Sequence, residues 1–464
     1  MKPVRKHVFR AYDIRGVVDV DFDEEWVFRL GQALGKWYLA KDWSRVVVGH
    51  DCRASSPAYF QAVTHGLVRA GLDVVRIGMV STPLFYHAAK TLGMQAGVMV
   101  TASHNPSEYN GFKLWGGDTV LTPEEIAGLY EIMVAGRFQA RPGVRLISSF
   151  DPTPAYLEDL CNRERIERPL KVVVDGGNGA CGELTAQLLE RAGAEVGVEV
   201  VRLYCEPDGS FPNHHPDPVV EANTAALQAE VLRLGADAGV GLDGDGDRIG
   251  VVDETGRLWP GDRLLALYAR DVLQRAPGAR IIGDVKCSHL FFRDVEKHGG
   301  IPVMGVTGHS IMKAALRAEG AALAGEMSGH MFFGHGFYGW DDGAYAALRL
   351  LAILSRSGKP LSGLLADWPA TMSTPEIRVS CPEALKFQVV ELARKYLQAE
   401  GKALRLIDVD GVRVVIGEGW GLVRASNTQA ELTYRFEAES AAQLDEIQGL
   451  VQEAVNRALH ELTG

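Results

Sequence analysis

The run Asp243-Gly244-Asp245-Gly246-Asp247-Arg248 sets three carboxylates at every second position, with glycines between them. On an extended loop that alternation projects all three to one side. Left alone they would repel one another, and a hard cation that takes oxygen ligands removes the repulsion. A solvated acidic turn is the common origin of short Asp/Gly runs. The sharper rival is a calcium EF-hand loop, because Glu254 falls at the offset of its last ligand. That loop demands glycine where this chain has Arg248, and the flanks 238–242 and 249–252 read as strands rather than helices. The preferred reading is Mg²⁺ in a hairpin-like loop. Mg²⁺ takes a few carboxylates and completes its shell with phosphate and water, so a phosphate is expected from elsewhere in the chain.

Thr101-Ala102-Ser103-His104-Asn105-Pro106 is the best source of that phosphate. It follows an apolar strand, and Pro106 stops the turn, so the Ser103 hydroxyl is held rigidly as a nucleophile or phosphate carrier. Lys113, ten residues on, offers a cation for a transferring phosphoryl group. Gly325-Glu326-Met327-Ser328-Gly329-His330 has polar side chains at alternate positions. If extended, it points carboxylate, hydroxyl and imidazole to one face, a set able to read sugar hydroxyls. In Arg424-Ala425-Ser426-Asn427-Thr428 a forked double donor meets hydroxyl and amide donors, which suits a phosphate dianion. Each of these has an ordinary turn or cap as its bland counterpart. Asp175 to Gly179 is glycine-rich but fits neither nucleotide-loop pattern and reads as structural.

Short β-rich runs and amphipathic segments alternate around these motifs. Strands are expected at 45–48, 74–77 and Ala96–Val100, with a helix at Ser56–Ala70 between the first two. The pattern restarts with a strand at 171–174 and a helix at 184–192, and again with a strand at 281–282 and a helix at 310–318. Three such units in series imply an internal repeat of fold. The last part differs: a strand at 376–379, a helix at 382–399, several β runs including 431–436, and a final helix at 441–462. The fold class is α/β: three similar mixed-sheet domains plus a C-terminal α+β domain. The domains are placed at 1–151, 152–254, 255–368 and 369–464, the last as a candidate lid with its hinge near 368–374.

With 464 residues, 47% hydrophobic and 23% charged, the chain is globular and too long for one core. A formal charge of −11 argues against nucleic-acid binding and requires any phosphate site to gather its positive charge locally. No apolar run is long enough to span a bilayer and the basic N-terminus lacks a secretory core, so no membrane partner and a cytoplasmic setting are expected. The six cysteines, Cys52, Cys161, Cys181, Cys205, Cys287 and Cys381, form no CxxC pair and read as reduced thiols.

Together with Phe9-Arg10-Ala11-Tyr12-Asp13-Ile14-Arg15-Gly16, these motifs stand in an order and spacing that resembles the α-D-phosphohexomutase superfamily over essentially the whole chain. Met327 and the Arg-Ala-Ser-Asn-Thr segment look most like its bacterial phosphomannomutase/phosphoglucomutase branch; phosphoglucosamine mutases more often carry Gln and Arg-Pro-Ser-Gly-Thr there. Ala430 departs from the proline common in relatives. The resemblance implies four domains around a central cleft and a phosphoryl transfer between O1 and O6 of a hexose through a 1,6-bisphosphate. Ser103 would be the phosphoserine, with Asp243, Asp245, Asp247 and a phosphoserine oxygen binding one Mg²⁺. Catalytic positions would be Arg15, His104, Lys113, Arg248 and His330. Tyr12, Lys286, His309, Glu326, Ser328 and His330 would meet the substrate, and Arg424, Ser426, Asn427 and Thr428 its non-reacting phosphate. The partners implied are phosphohexoses, with the protein a monomer or small homo-oligomer.

Overall fold

In three successive sheets one strand order recurs. The computed structural model describes residues 2–11, 13–138, 141, 143–400, 404–426 and 429–463. In the first sheet, Arg45–His50 lies between Asp73–Met79 and Ala96–Val100, all parallel, and Ala96–Val100 turns back into antiparallel Tyr109–Gly116. In the second, Lys171–Asp175 lies between parallel Glu199–Leu203 and Ala238–Leu242, and the latter turns back into Ile249–Asp253. The third repeats this with Arg280–Asp284 between Ile301–Gly305 and Leu323–Gly325, and the return strand Met331–Phe333. Each return turn is one of the motifs read from the sequence: 101–108, 243–248 and 326–330.

The chemistry of the residues explains the order. Ala96–Val100 and Ala238–Leu242 are buried throughout, as a parallel strand covered by helices on both faces requires. Helix Ser56–Ala70 ends where Gly71 takes φ 110°, a left-handed cap that glycine accepts without a Cβ penalty. Helix Gly343–Ser357 is buried along nearly its whole length and starts from Asp342, whose carboxylate accepts from Tyr345 N at 2.9 Å.

The second sheet continues through Leu258–Trp259, past the turn at 253–256 where the sequence suggested a boundary. The fourth domain is an antiparallel sheet whose central members are Val412–Ile416, Gly419–Ala425 and Glu431–Ala438, packed against helices Lys386–Ala399 and Ala441–Thr463. Three α/β mixed-sheet domains and a C-terminal α+β domain are therefore present as expected.

One hydrophobic cluster runs through the first three domains, from Val47 and Phe85 through Val174 and Leu242 to Leu323 and Tyr345. The fourth domain has its own core around Val389, Val423, Phe436 and Val451. A small apolar contact of Val285 with Trp420 and Leu422 joins it to the third. Polar bonds finish that junction: Arg413 donates to Val285 O and Cys287 O at 2.7 and 2.8 Å, and Ser288 Oγ donates to Glu437 Oε1 at 2.6 Å.

Candidate active site

The turns of the first two hairpins meet at Ser103. Its Oγ donates to Asp243 Oδ2 at 2.7 Å and lies 3.2 Å from His104 Nδ1. Ser103 is 2% exposed and takes φ 52°. Gly244 makes the approach possible, since a Cβ there would stand 2.5 Å from Ser103 O. The carboxylates converge through a turn rather than an extended run: Gly246 N donates to Asp243 O at 3.1 Å, and Gly246 has φ 78°. The alternation argument thus reached the right cluster by the wrong backbone geometry. The same holds for 326–330, where Gly329 N donates to Glu326 O at 3.0 Å and closes a tight turn.

Asp243, Asp245 and Asp247 are at most 1% exposed and bring carboxylate oxygens within 4.8 Å of one another. Asp245 Oδ2 accepts from Thr82 Oγ1 at 2.6 Å and from Lys113 Nζ at 2.7 Å, and Lys113 also donates to Asp247 Oδ2. Burial disfavours the Lys113 ammonium, but Asp245 and Asp247 outweigh it and hold its pKa well above the ordinary lysine value. Burial and the neighbouring Asp247 and Asp245 push Asp243 the opposite way from an ordinary surface aspartate, well up. Asp245 Oδ1 and Asp247 Oδ1 are buried without a hydrogen-bond partner. Hard oxygen donors, two of them unsatisfied, fit a divalent cation such as Mg²⁺.

The third hairpin adds Glu326, Ser328 and His330 to the cleft. Glu326 Oε1 accepts from Gly308 N at 2.5 Å, and its Oε2 accepts from Ser328 Oγ at 3.2 Å. Arg248 Nε donates to His330 Nε2 at 3.0 Å. Arginine can only donate, so the neutral ring's proton lies on Nδ1, which faces Asp341 Oδ2 at 2.9 Å. Burial, then Lys313 and Lys113, push His309 well below the usual histidine range, and its ring stacks at 5.8 Å on His330. Burial, followed by Arg248 and Arg15, does the same to His104.

A single cleft collects Arg15, His104, Arg248, Lys286, His309, Glu326, Ser328, His330, Arg424 and Ser426. Lys286 pairs with Glu376 at 3.0 Å and Arg424 with Asp410 at 2.9 Å. Lys286 is the first cause that draws Glu376 down to about 2. Arg15 bridges Asp13 and Asn105 Oδ1. Ser103, Lys113 and the three aspartates lie beneath this cleft rather than on its wall. Tyr12, Asn427 and Thr428 lie outside the described residues.

Several contributors escaped the sequence reading. Arg10, Glu376 and Arg378 line the cleft. Asp341 holds His330 and also pairs with Lys313 at 2.6 Å. Arg53, buried beside the Ser103 turn, donates to its carbonyls. A signal existed for two of them. Asp51-Cys52-Arg53 follows a buried parallel strand, where sites in open α/β sheets gather, and Asp341-Asp342 precedes an apolar run as a helix cap does.

Sequence models of four domains match the chain in order. They are described as phosphoglucomutase/phosphomannomutase alpha/beta/alpha domain I at residues 6–140, domain II at 154–256, domain III at 260–371, and the C-terminal domain at 376–454. A Pseudomonas syringae protein named phosphomannomutase/phosphoglucomutase is 44% identical over 455 residues, 98% of this chain and 96% of its own. A Neisseria gonorrhoeae phosphoglucomutase is 40% identical and covered to 99% on both sides. The crystal structure of a phosphoglucomutase/phosphomannomutase family protein from Burkholderia thailandensis superposes with a TM-score of 0.91 at 40% identity, covering 99% of this chain and 98% of that one.

Proposed function

This chain belongs to the phosphoglucomutase/phosphomannomutase family and is a phosphohexomutase; on that premise we propose that it interconverts the 1- and 6-phosphates of mannose and glucose through a phosphoserine at Ser103. The observation that carries this reading is the 2.7 Å bond between Ser103 Oγ and Asp243 Oδ2, which joins a nucleophile turn to a carboxylate turn from another domain.

A hexose 1-phosphate docks with its phosphate on Arg424, Ser426, Asn427 and Thr428, and Glu326 and Ser328 read its ring hydroxyls. The phosphoryl group on Ser103 passes to O6: the P–Oγ bond breaks, a P–O6 bond forms, the O6 proton goes to a base, and Ser103 Oγ takes up a proton in its place. The resulting 1,6-bisphosphate turns over in the cleft and presents its O1 phosphoryl to Ser103 Oγ. Transfer back leaves a hexose 6-phosphate and restores the phosphoserine; added bisphosphate would load an unphosphorylated enzyme. Asp243, Asp245 and Asp247 would hold Mg²⁺, which when bound would supply charge neutralisation for phosphoryl transfer.

Lys113 is held charged by two carboxylates, so it serves as a cation rather than the base. His104 and His330 remain for that task. His330 is the better placed, since Asp341 backs its Nδ1 and a substrate that engages Arg248 frees its Nε2. Arg15, Arg248, Lys286 and His309 all line the cleft; the two arginines would add charge at the transferring group, and Lys286 and His309 would meet the substrate. Six unpaired thiols suit a reducing, cytoplasmic setting.

A coupled assay with Mg²⁺ and trace hexose 1,6-bisphosphate tests this on mannose, glucose and glucosamine 1-phosphates. Comparable rates on the first two and little on the third are expected. A preference for glucosamine would move the substrate assignment, and stoichiometric phosphate release would make the protein a phosphatase. Ser103→Ala should take up no phosphate and lose nearly all turnover; full activity in that variant refutes the phosphoserine.

A further inference from the structure

Arg53 is fully buried, three residues past the strand Arg45–His50. All five donors of its fork are used. Nε donates to Asp51 Oδ2 at 3.1 Å. Nη1 donates to Pro106 O at 2.7 Å and Tyr109 O at 3.0 Å, and Nη2 to Ser103 O at 2.7 Å and Asn105 O at 2.6 Å. Four main-chain carbonyls of one seven-residue segment therefore converge on one cation. Surface turns ordinarily leave such groups to water.

The segment needs that restraint. Ser103 sits at φ 52°, a left-handed conformation that a residue with a Cβ rarely adopts unaided. Its peptide ends are fixed on both sides: N donates to Thr101 Oγ1 at 2.9 Å and O accepts from Arg53. With those ends fixed, Oγ falls on Asp243. Relaxation of φ would swing Oγ off the carboxylate turn.

The second domain covers the clamp. The Phe211 ring lies 5.1 Å from the Arg53 guanidinium carbon and is itself held at φ 51°. Gly209 lets this segment come so close, since a Cβ there would stand 2.5 Å from Arg53 Cα and from Cys52 O. A cation over a ring face, walled from water, makes stronger hydrogen bonds than an exposed one.

We propose that Arg53 is a positioning residue for phosphoryl transfer: covered by Phe211, its guanidinium holds the carbonyls of 103–109 so that Ser103 keeps its left-handed turn and its Oγ stays aimed at the carboxylate turn. This rests on Ser103 being the phosphate carrier. In the full-length protein, Arg53→Ala is expected to lower kcat about 100-fold, the size of effect that misplacing a reacting group by about 1 Å produces. KM for glucose 1-phosphate should stay within about twofold, because the phosphate clamp is elsewhere. Added methylguanidinium should refill the gap and restore kcat saturably. Arg53→Lys keeps the charge without the fork and should be low in kcat and unresponsive to methylguanidinium. Phe211→Ala should lower kcat by a smaller factor at unchanged KM.

Parental kcat in Arg53→Ala overturns the proposal. So does a loss that methylguanidinium leaves untouched in Arg53→Ala protein melting at the parental temperature, since that is what a merely structural role gives. If Arg53→Ala does not fold, Phe211→Ala and Arg53→Lys decide, and parental kcat in both overturns it. Ser103→Ala run alongside separates the two readings. Turnover in Ser103→Ala removes the phosphoserine itself; no turnover there, with parental kcat in Arg53→Ala, removes only the positioning role.

Discussion

The first three domains and the fourth are held together by different means, and the cleft inherits the difference. The first three share one continuous apolar core, and their hairpin turns bond directly to one another through Ser103–Asp243 and Arg248–His330, with Thr82 at a helix start adding a bond to Asp245. The fourth has a core of its own and meets the third through a small apolar cluster and a set of polar bonds. In the fused part, cations and carboxylates are almost fully buried and cross-linked, so the reacting groups are already arranged before substrate arrives. At the junction with the fourth domain, Arg424 pairs with Asp410 inside that domain, and Lys286 of the third domain pairs with Glu376 of the fourth. The lesson is a division of labour. On the proposed function, transfer chemistry is preorganised in the fused domains, and the substrate's phosphate would be met by partner exchange at the junction with the attached one.

That division predicts which kinetic constant each region controls. The largest effect should come from Asp245→Asn, which keeps volume but removes a carboxylate with one buried, unpartnered oxygen. We expect kcat to fall about 10²- to 10³-fold, as when a group that stabilises transition-state charge is removed, with KM little changed. Excess Mg²⁺ should recover little of it. A variant with parental kcat and only a raised KM would mean that the carboxylate turn belongs to binding. Arg424→Ala should do the reverse: KM for glucose 1-phosphate rises about 10- to 100-fold, as loss of a charge-assisted hydrogen bond of about 1.5–3 kcal/mol implies, while kcat moves only a few-fold. Equal losses of kcat in the two variants would erase the distinction.

Much of the first region was legible because its chemistry is written locally. Asp243 to Arg248 and Thr101 to Pro106 are contiguous, each follows a continuous apolar strand, and both recur at the same place in the fold. Helix Ser56–Ala70 and strand Ala96–Val100 lie where periodicity and apolar runs put them. Other features have no local signature. Helix Gly343–Ser357 is buried almost all round, so it lacks the polar stripe that marks an amphipathic helix. Arg53 acts on carbonyls 50 to 56 residues away along the chain, and a backbone acceptor carries no side-chain letter to read. The convergence of Asp243, Asp245 and Asp247 was legible in composition yet not in geometry, because φ 78° at Gly246 turns the loop where alternation assumed it straight.

The smallest effect concerns how the fused region tolerates its own burial. Asp342 is 1% exposed, caps Gly343–Ser357, and accepts from Tyr156 Oη at 2.9 Å. Gly343 N donates to Gly246 O at 3.0 Å, so this helix start abuts the carboxylate turn. Burial pushes the Asp342 carboxyl up to about 7, against the opposing bonds from Tyr345 N and Tyr156. The sign follows from proton counts. Between about pH 4, where an unfolded aspartate has lost its proton, and about pH 7, the native state holds a proton that the unfolded chain does not. Stability contributed by this group therefore falls as pH rises through that window, by up to about 1.4 kcal/mol per pH unit. Asp342→Asn keeps a capping oxygen and removes the titration, so its urea midpoint plotted from pH 4.5 to 7 should fall less steeply with rising pH than the parent's, with kcat at neutral pH nearly unchanged. Parallel slopes would mean that the native carboxyl is already ionised, and that the fused region stabilises a buried charge there instead of avoiding one.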